Sequence, residues 1–363
     1  MDKKVSIFNT KPVLPDRQEL DRYIDKIYEK AILTNFGPIH DDLNKNLAEY
    51  LGVENLLLVS SGTTAIQVAL RTYLYESYLR GEHYSTFVTT PFSFPATSAA
   101  IKWLGLDLTF LNVDKYGTVE VSGRLPPPKT PLLATNVYGN PSPFEQINDY
   151  FGENNVIYDS SHCFGIKSSP NIFNYGYAHT LSFHATKAFS TAEGGAVIFK
   201  NKESLDIGKR LINFGIDPTS EIIPLGTNAK LSELHAAFGL ASFPKIEDSL
   251  IRRRKIGERY TMNFRNSIFE CILVDRPGHR SNFAYYPIIF PDEKKLLQVM
   301  KRLKLNNIYP RRYFYPCLST IGYNDAAYLK KSVSLASRVL CLPIYPDLDI
   351  GVADFISELV LKS

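Results

Sequence analysis

Between about residues 45 and 215, short apolar runs alternate with longer stretches whose apolar positions recur every three to four residues. Leu56 to Val59 reads as a buried strand, and the TTAIQVALRTYLYESYL stretch after it reads as a helix. Further short apolar runs lie at Thr86 to Thr90, Leu106 to Val113, Pro131 to Gly139, Asn155 to Asp159, Thr180 to His184 and Gly195 to Phe199. These runs show little polar alternation, so both faces of each strand are expected to be covered. Strands of that kind, interleaved with helices, predict a mostly parallel sheet in an α/β domain. Ligands of such sheets bind outside the carboxyl ends of the strands.

The texture changes near residue 240. KIEDSLIRRRKIGERYTMNF reads as one long amphipathic helix, with Ile246, Leu250, Ile256 and Tyr260 spaced along a face. ILVD, NFAYYPIIF, a helical stretch near Glu293 to Leu303 and VLCLPIYPDL follow, an α+β pattern. The chain therefore divides into a large α/β domain, 1–240 with an N-terminal arm, and a smaller α+β domain, 241–363. The length of 363 residues suits two such units.

Composition narrows the function classes. Hydrophobic residues make up 44% and charged residues 21%, as in a water-soluble protein with an ample core. The net charge of +4 comes from 41 basic and 37 acidic residues, too even a balance for nucleic acid. It leaves room for a local basic pocket that takes a small anion. The four cysteines form no CxxC pair, which argues against a zinc knuckle and fits a reducing compartment. No apolar segment follows Met1, and no run approaches the ~18 apolar residues of a membrane span. The expectation is a cytoplasmic protein with no membrane partner. His40, His83, His179, His235 and His279 lack metal-ligand spacing, so no metal is expected. The RRRK run, Arg252 to Lys255, reads as a solvated helix face.

Three stretches carry chemistry. In VSSGTTAIQVAL a strand ends at Val59 and a Ser-Ser-Gly-Thr-Thr turn opens a helix. Gly62 permits close approach of the backbone, and a helix N-terminus offers free N–H groups and a positive dipole end to a phosphate. The same turn also fits an ordinary cap by Ser61 or Thr63. In NVIYDSSHCFG, Asp159 ends a buried strand and His162 follows three residues later. A carboxylate there needs a cationic or hydrogen-bonding partner, although a loop Asp that caps nearby amides is the plainer alternative. In LSFHATKAFSTAEGGAVIF, Ser182 and Lys187 flank the turn after a strand, and Glu193-Gly194-Gly195 leads into the next. A lysine desolvated in that turn would be neutral enough to form a Schiff base. A phosphate cradle, a strand-end carboxylate and an amine nucleophile together are the parts of a pyridoxal phosphate (PLP) site. TTPFSFPAT adds Phe92 and Phe94 at another strand end as rings that could stack on the cofactor.

ILTNFGPIH, VSSGTTAIQVAL, TTPFSFPAT, NVYGNP, VIYDSSHCFG, LSFHATKAFSTAEGG, NAKLSELHAAFGL and LPIYP follow one another through most of the chain. In this order they resemble the DegT/DnrJ/EryC1/StrS family of PLP-dependent nucleotide-sugar aminotransferases. The resemblance implies a PLP-dependent transferase of fold type I, with a seven-stranded sheet, and a homodimer with active sites at its interface. It makes Lys187 the cofactor lysine and Asp159 the partner of the pyridine nitrogen. It places His162 near the O3′ side, Phe94 against the ring, and Gly62, Thr63 and Ser182 around the phosphate. Asn228 matches an asparagine that reaches the phosphate from the other subunit. Two departures stand out: Asn228-Ala229-Lys230 replaces the usual Asn-Tyr-Arg, and Ser160-Ser161 replaces the more usual Ala-Ala.

IYPRRYFYP, Ile308 to Pro316, resembles the branch that aminates dTDP-4-keto-6-deoxyglucose, and Arg311 and Arg312 offer fork-shaped donors for a diphosphate. The partners implied are a nucleotide-linked keto-sugar and L-glutamate, with dTDP-4-amino-4,6-dideoxyglucose, a bacterial surface polysaccharide precursor, as product. A 3-keto-sugar or UDP-4-keto-sugar aminotransferase, a PLP-dependent keto-sugar dehydratase and a non-catalytic PLP-fold binding protein are the alternatives. Lysine at 187, where dehydratases of the family carry histidine, favours transamination.

Overall fold

Seven strands form one sheet in the computed structural model of the chain, which describes residues 6–217, 219, 221–323 and 328–362. They are β1 (Leu56–Val59), β2 (Thr86–Thr89), β3 (Asp107–Phe110), β4 (Leu132–Thr135), β5 (Val156–Asp159), β6 (Ala178–Ser182) and β7 (Gly195–Phe199). Their order across the sheet is β1-β7-β6-β5-β4-β2-β3. All neighbouring pairs are parallel except those of β7, which runs antiparallel to both β1 and β6. The cause is local. The segment between β6 and β7 contains no crossover helix, so the chain turns back beside the strand it has just left.

The helices are α1 (Arg17–Lys30), α2 (Pro38–Leu51), α3 (Gly62–Leu79), α4 (Pro95–Trp103), α5 (Phe144–Phe151) and α6 (Lys202–Leu211). Beyond them come α7 (Glu233–Ser242), α8 (Ile246–Phe264), α9 (Glu293–Leu305), α10 (Lys330–Arg338) and α11 (Ile350–Leu361). The apolar strands are covered on both faces, as the absence of polar alternation predicts. On β1, Leu57 and Val59 pack with Ile66, Ala69 and Val197 on the α3 side. Leu56 and Leu58 pack with Leu43, Leu181 and Leu240 on the α2 and α7 side. Each such buried aliphatic side chain stabilises the fold by about 1.5–3 kcal/mol.

The second body is a three-stranded antiparallel sheet of β8 (Glu270–Cys271), β9 (Tyr286–Ile289) and β10 (Val339–Leu342), in the order β8-β9-β10. Helices α8, α9 and α11 supply Tyr260, Leu296 and Ile356 to its core, beside Tyr286, Ile288 and Leu340 of the strands. The N-terminal arm reaches this body: Ile7–Phe8 pairs in parallel with Ile308–Tyr309.

Two strands differ from the pattern in a way that matters for the site. The apolar run from Pro131 stops being a strand at Thr135, and Val137–Gly139 is a 3₁₀ turn with Tyr138 at φ 57°. Asn136 fixes this exit: its side-chain amide donates to Ser160 Oγ at 2.9 Å, and its carbonyl accepts from Ser142 Oγ at 2.7 Å. β6 starts and ends two residues earlier than the run suggests, and just beyond it the Phe183 N–H bonds Gly194 O at 2.9 Å across the base of the loop that holds Lys187. Among the described residues, no helix is long and apolar enough to cross a membrane.

Candidate active site

A cavity of about 290 Å³ opens at the carboxyl ends of β1, β4, β5 and β6. It draws its walls from both bodies. Gly62, Thr63, Phe94, Asp159, His162, Ser182 and Lys187 line it from the large sheet, and Tyr285, Arg311, Tyr313 and Phe314 from the smaller body.

The floor near β1 is the N-terminus of α3. Ser61 is the N-cap, its hydroxyl accepting from Thr64 N–H at 3.1 Å while Thr64 Oγ1 accepts from Ser61 N–H at 2.9 Å. This capping box answers the sequence alternative between Ser61 and Thr63. It leaves Gly62 and Thr63 in the first turn, where backbone N–H groups have no intrahelical acceptor. A Cβ on Gly62 would stand 2.7 Å from Ser182 Cβ and 2.9 Å from Ser182 Oγ. The missing side chain is what lets the helix end and the Ser182 hydroxyl meet in one cradle. Such a cradle suits a phosphate.

Asp159 sits at the end of β5 and is only 4% exposed. Thr97 Oγ1 donates to its Oδ2 at 2.8 Å, and Ser161 Oγ to its Oδ1 at 2.6 Å. Hydrogen-bond donors of this kind favour the charged form of a buried carboxyl. His162 is buried, and its Nδ1 accepts the Tyr138 N–H at 3.0 Å, which assigns the ring proton to Nε2. Burial, followed by the charge of Lys187, holds His162 well below the ordinary imidazole range, so it is neutral. Its ring lies parallel to those of Tyr138 and Phe314, at interplanar angles of 8° and 6°.

Lys187 occupies the turn between β6 and β7, its N–H bonded to His184 O at 2.9 Å. Its side chain borders the cavity and keeps some solvent contact, yet protein atoms pack densely around the amine. That desolvation brings its pKa down to about 8, against the opposing pull of Asp159 and Cys163. The amine lies 3.4 Å from the Tyr285 hydroxyl.

The structure separates pairs that the sequence leaves together. Phe92 is fully buried against Tyr138 and Phe314, whereas Phe94 is 54% exposed and lines the cavity. Arg311 lines the cavity too. Arg312 does not: its guanidinium pairs with Glu293 at 2.6 Å, donates to Ser337 O at 3.0 Å and lies over the Tyr315 ring. Asn228 is exposed and absent from the cavity wall. His179 is a core residue, with Nδ1 2.8 Å from Ser160 Oγ and Nε2 2.8 Å from Tyr175 O. Among the described residues, no cluster of His, Cys, Asp and Glu is placed to hold a metal ion.

Sequence reasoning misses Thr97 and Tyr285. Thr97 stands in the same TTPFSFPAT stretch as Phe94, one helical turn on, and that spacing is a usable signal. Tyr285 is one tyrosine among 22, and nothing local marks it.

A helix-end cradle, a buried and hydrogen-bonded carboxyl and a desolvated lysine, around one cavity at the strand ends of a seven-stranded sheet, define a fold type I PLP-dependent transferase. PLP fits these residues: the bare backbone of Gly62 meets the Ser182 hydroxyl in one cradle, and the buried Asp159 carboxyl lines the same cavity. Residues 15–360 match the DegT/DnrJ/EryC1/StrS aminotransferase family, and the chain belongs to it. The dTDP-4-amino-4,6-dideoxy-D-glucose transaminase of Shigella dysenteriae is 34% identical, over 96% of this chain and 97% of its own. The Escherichia coli protein of the same name is 33% identical, over 99% of each chain. Among solved structures, DesI with its TDP-sugar product superposes with a TM-score of 0.87 at 24% identity, covering 98% of this chain and 92% of DesI. The protein is thus an aminotransferase.

Proposed function

We propose that the chain moves an amino group from L-glutamate to dTDP-4-keto-6-deoxy-D-glucose, giving dTDP-4-amino-4,6-dideoxy-D-glucose. The observation that carries the chemistry is the meeting of Lys187, Asp159 and the α3 N-terminus in one cavity. The sugar assignment is supported by full-length likeness to two transaminases named for that product.

Bound PLP supplies an electron sink for the carbon that loses or gains a proton. Gly62, Thr63 and Ser182 would hold its phosphate, Phe94 would supply a ring to lie against it, and Asp159 would face the ring nitrogen. Lys187 would hold the cofactor and move the proton, a task for which an amine with a pKa of about 8 is well matched. His162, neutral with its proton on Nε2, donates without adding charge to the pocket. Arg311 presents a forked donor to the diphosphate at the cavity wall.

In this reading residues 1–240 hold the cofactor, and residues 241–363 supply Tyr285, Arg311, Tyr313 and Phe314 to the substrate side. Asn228, exposed and off its own cavity, serves the site of a second copy in a homodimer.

The test is an absorption spectrum of the protein with PLP, before and after L-glutamate, with Lys187→Ala alongside. The wild type is expected to take up the cofactor with a visible band that glutamate bleaches and dTDP-4-keto-6-deoxyglucose restores, with no such cycle in the variant. Bleaching by glutamate but recovery only with a UDP-linked keto-sugar would overturn the nucleotide assignment. A wild type without a cofactor band would overturn the whole reading.

A further inference from the structure

Asp159 is nearly inaccessible, and among the described residues it forms no ion pair. A carboxyl so placed tends to take up a proton, and a neutral carboxyl could not hold a positive charge on a ring nitrogen. The structure answers this with hydroxyls on both carboxyl oxygens. Thr97 Oγ1 donates to Oδ2 at 2.8 Å. Ser161 donates to Oδ1 twice, through its hydroxyl at 2.6 Å and its backbone N–H at 3.2 Å.

The Thr97 hydroxyl is itself backed. Ser93 Oγ lies 2.8 Å from Thr97 Oγ1 and 3.0 Å from Thr135 Oγ1. Thr97 spends its only proton on Asp159, so Ser93 must donate to Thr97, and Thr135 must then donate to Ser93. The chain Thr135, Ser93, Thr97 runs one way and ends on the carboxylate. Ser93 and Thr97 are fully buried and Thr135 is 4% exposed, so the protein shields it from bulk solvent. Donors aligned in series polarise one another and favour an ionised terminus. A protonated Asp159 would have to give a hydrogen bond where both oxygens already receive one.

We propose that Thr97 and Ser161 are positioning residues that hold Asp159 as a carboxylate, so that the ring nitrogen of bound PLP stays protonated throughout the working pH range. This rests on the PLP reading above. The other groups that act on Asp159 are Lys187 from the β6–β7 turn, Cys163 from its own loop and Tyr285 from the smaller body. Cys163 is a neutral thiol, pushed up to about 12 by burial, and burial keeps Tyr285 a neutral phenol. Lys187 would be tied to the cofactor when PLP is bound, whereas the hydroxyls keep their places on the carboxyl oxygens with or without it.

The test is the ¹⁵N resonance of PLP labelled at the ring nitrogen, followed against pH in the holoenzyme. The wild type, Thr97→Val, Ser161→Ala and the double variant are compared. The wild-type nitrogen is expected to keep its proton above pH ~9, and the midpoint in the double variant to fall by about one pH unit or more. Ser161→Ala alone should give a smaller fall, and Thr97→Ser, which retains the hydroxyl, none. If Thr97→Val does not fold, the pair Ser161→Ala and Thr97→Ser decides by the same criterion. Variants that lose thermal stability yet titrate like the wild type overturn the proposal, since a merely structural role would do only that. A wild type that takes up no label overturns the cofactor reading instead, and this proposal with it.

Discussion

The amine of Lys187 meets the hydroxyl of Tyr285 at 3.4 Å, joining the turn after β6 to a residue next to β9 of the smaller body. Burial keeps Tyr285 a neutral phenol, so the contact orients the amine without competing for its proton. Tyr285→Phe should lower kcat by about tenfold, the loss of one hydrogen bond, with little change in KM for the sugar. Steady-state kinetics with both substrates checks this. A rise in KM with unchanged kcat would place Tyr285 in sugar binding instead.

The depressed pKa of Lys187 has two consequences in the cofactor-free protein. The amine is about half neutral near pH 8, so PLP capture should accelerate through pH 8 and level off above it, as stopped-flow absorbance can follow. Stability follows from the sign of proton uptake. Between about 8 and the ordinary 10.5, the unfolded chain holds a proton that the native lysine lacks. Stability relative to Lys187→Met should therefore rise with pH across that window and carry the full burial penalty below it. Urea unfolding of both proteins at several pH values tests the direction.

Gly62→Ala places a methyl 2.7 Å from Ser182 Cβ, with the backbone of Ser182 3.2 Å away. The helix end and Ser182 must part, which opens the phosphate cradle. The affinity for PLP should fall by about tenfold or more, while that for pyridoxal, which lacks the phosphate, changes little. Equilibrium titrations of the two ligands separate cradle damage from general unfolding.

Arg311 and Arg312 should separate functionally. Arg312→Ala breaks the Glu293 pair and the bond to Ser337 O, and should cost about 1–3 kcal/mol of stability with an unchanged KM for the sugar. Arg311→Ala should raise that KM by about tenfold with little effect on unfolding. Denaturation curves and KM values for both variants check the division.

Much of this was legible in the chain. Apolar runs without polar alternation locate the strands of the large sheet, because burial on both faces leaves that mark directly in the sequence. Gly62, Asp159 and Lys187 are legible because each sits at a strand end in a stretch with a local reason to be there. Tyr285 is not, since its role arises from the packing of β9 against a loop almost one hundred residues earlier. Nor does RRYFYP reveal that Arg312 turns to Glu293 while Arg311 faces the cavity; adjacent residues on an irregular segment diverge by backbone torsions that no periodicity encodes. The antiparallel β7 is intermediate: the short β6–β7 loop implies it, while the apolar pattern of the strand does not.

Lys187 and its cavity are proposed to carry nitrogen from glutamate to a nucleotide-linked keto-sugar. The most direct measurement incubates the PLP-loaded enzyme with L-[¹⁵N]glutamate and dTDP-4-keto-6-deoxyglucose and reads the products by mass spectrometry, with Lys187→Ala in parallel. The expected products are a dTDP-amino-dideoxyhexose carrying one ¹⁵N and an equal amount of 2-oxoglutarate, with neither formed by the variant. A dTDP-sugar that has lost a hydroxyl and gained no nitrogen, or ¹⁵N transfer that persists in Lys187→Ala, would contradict it.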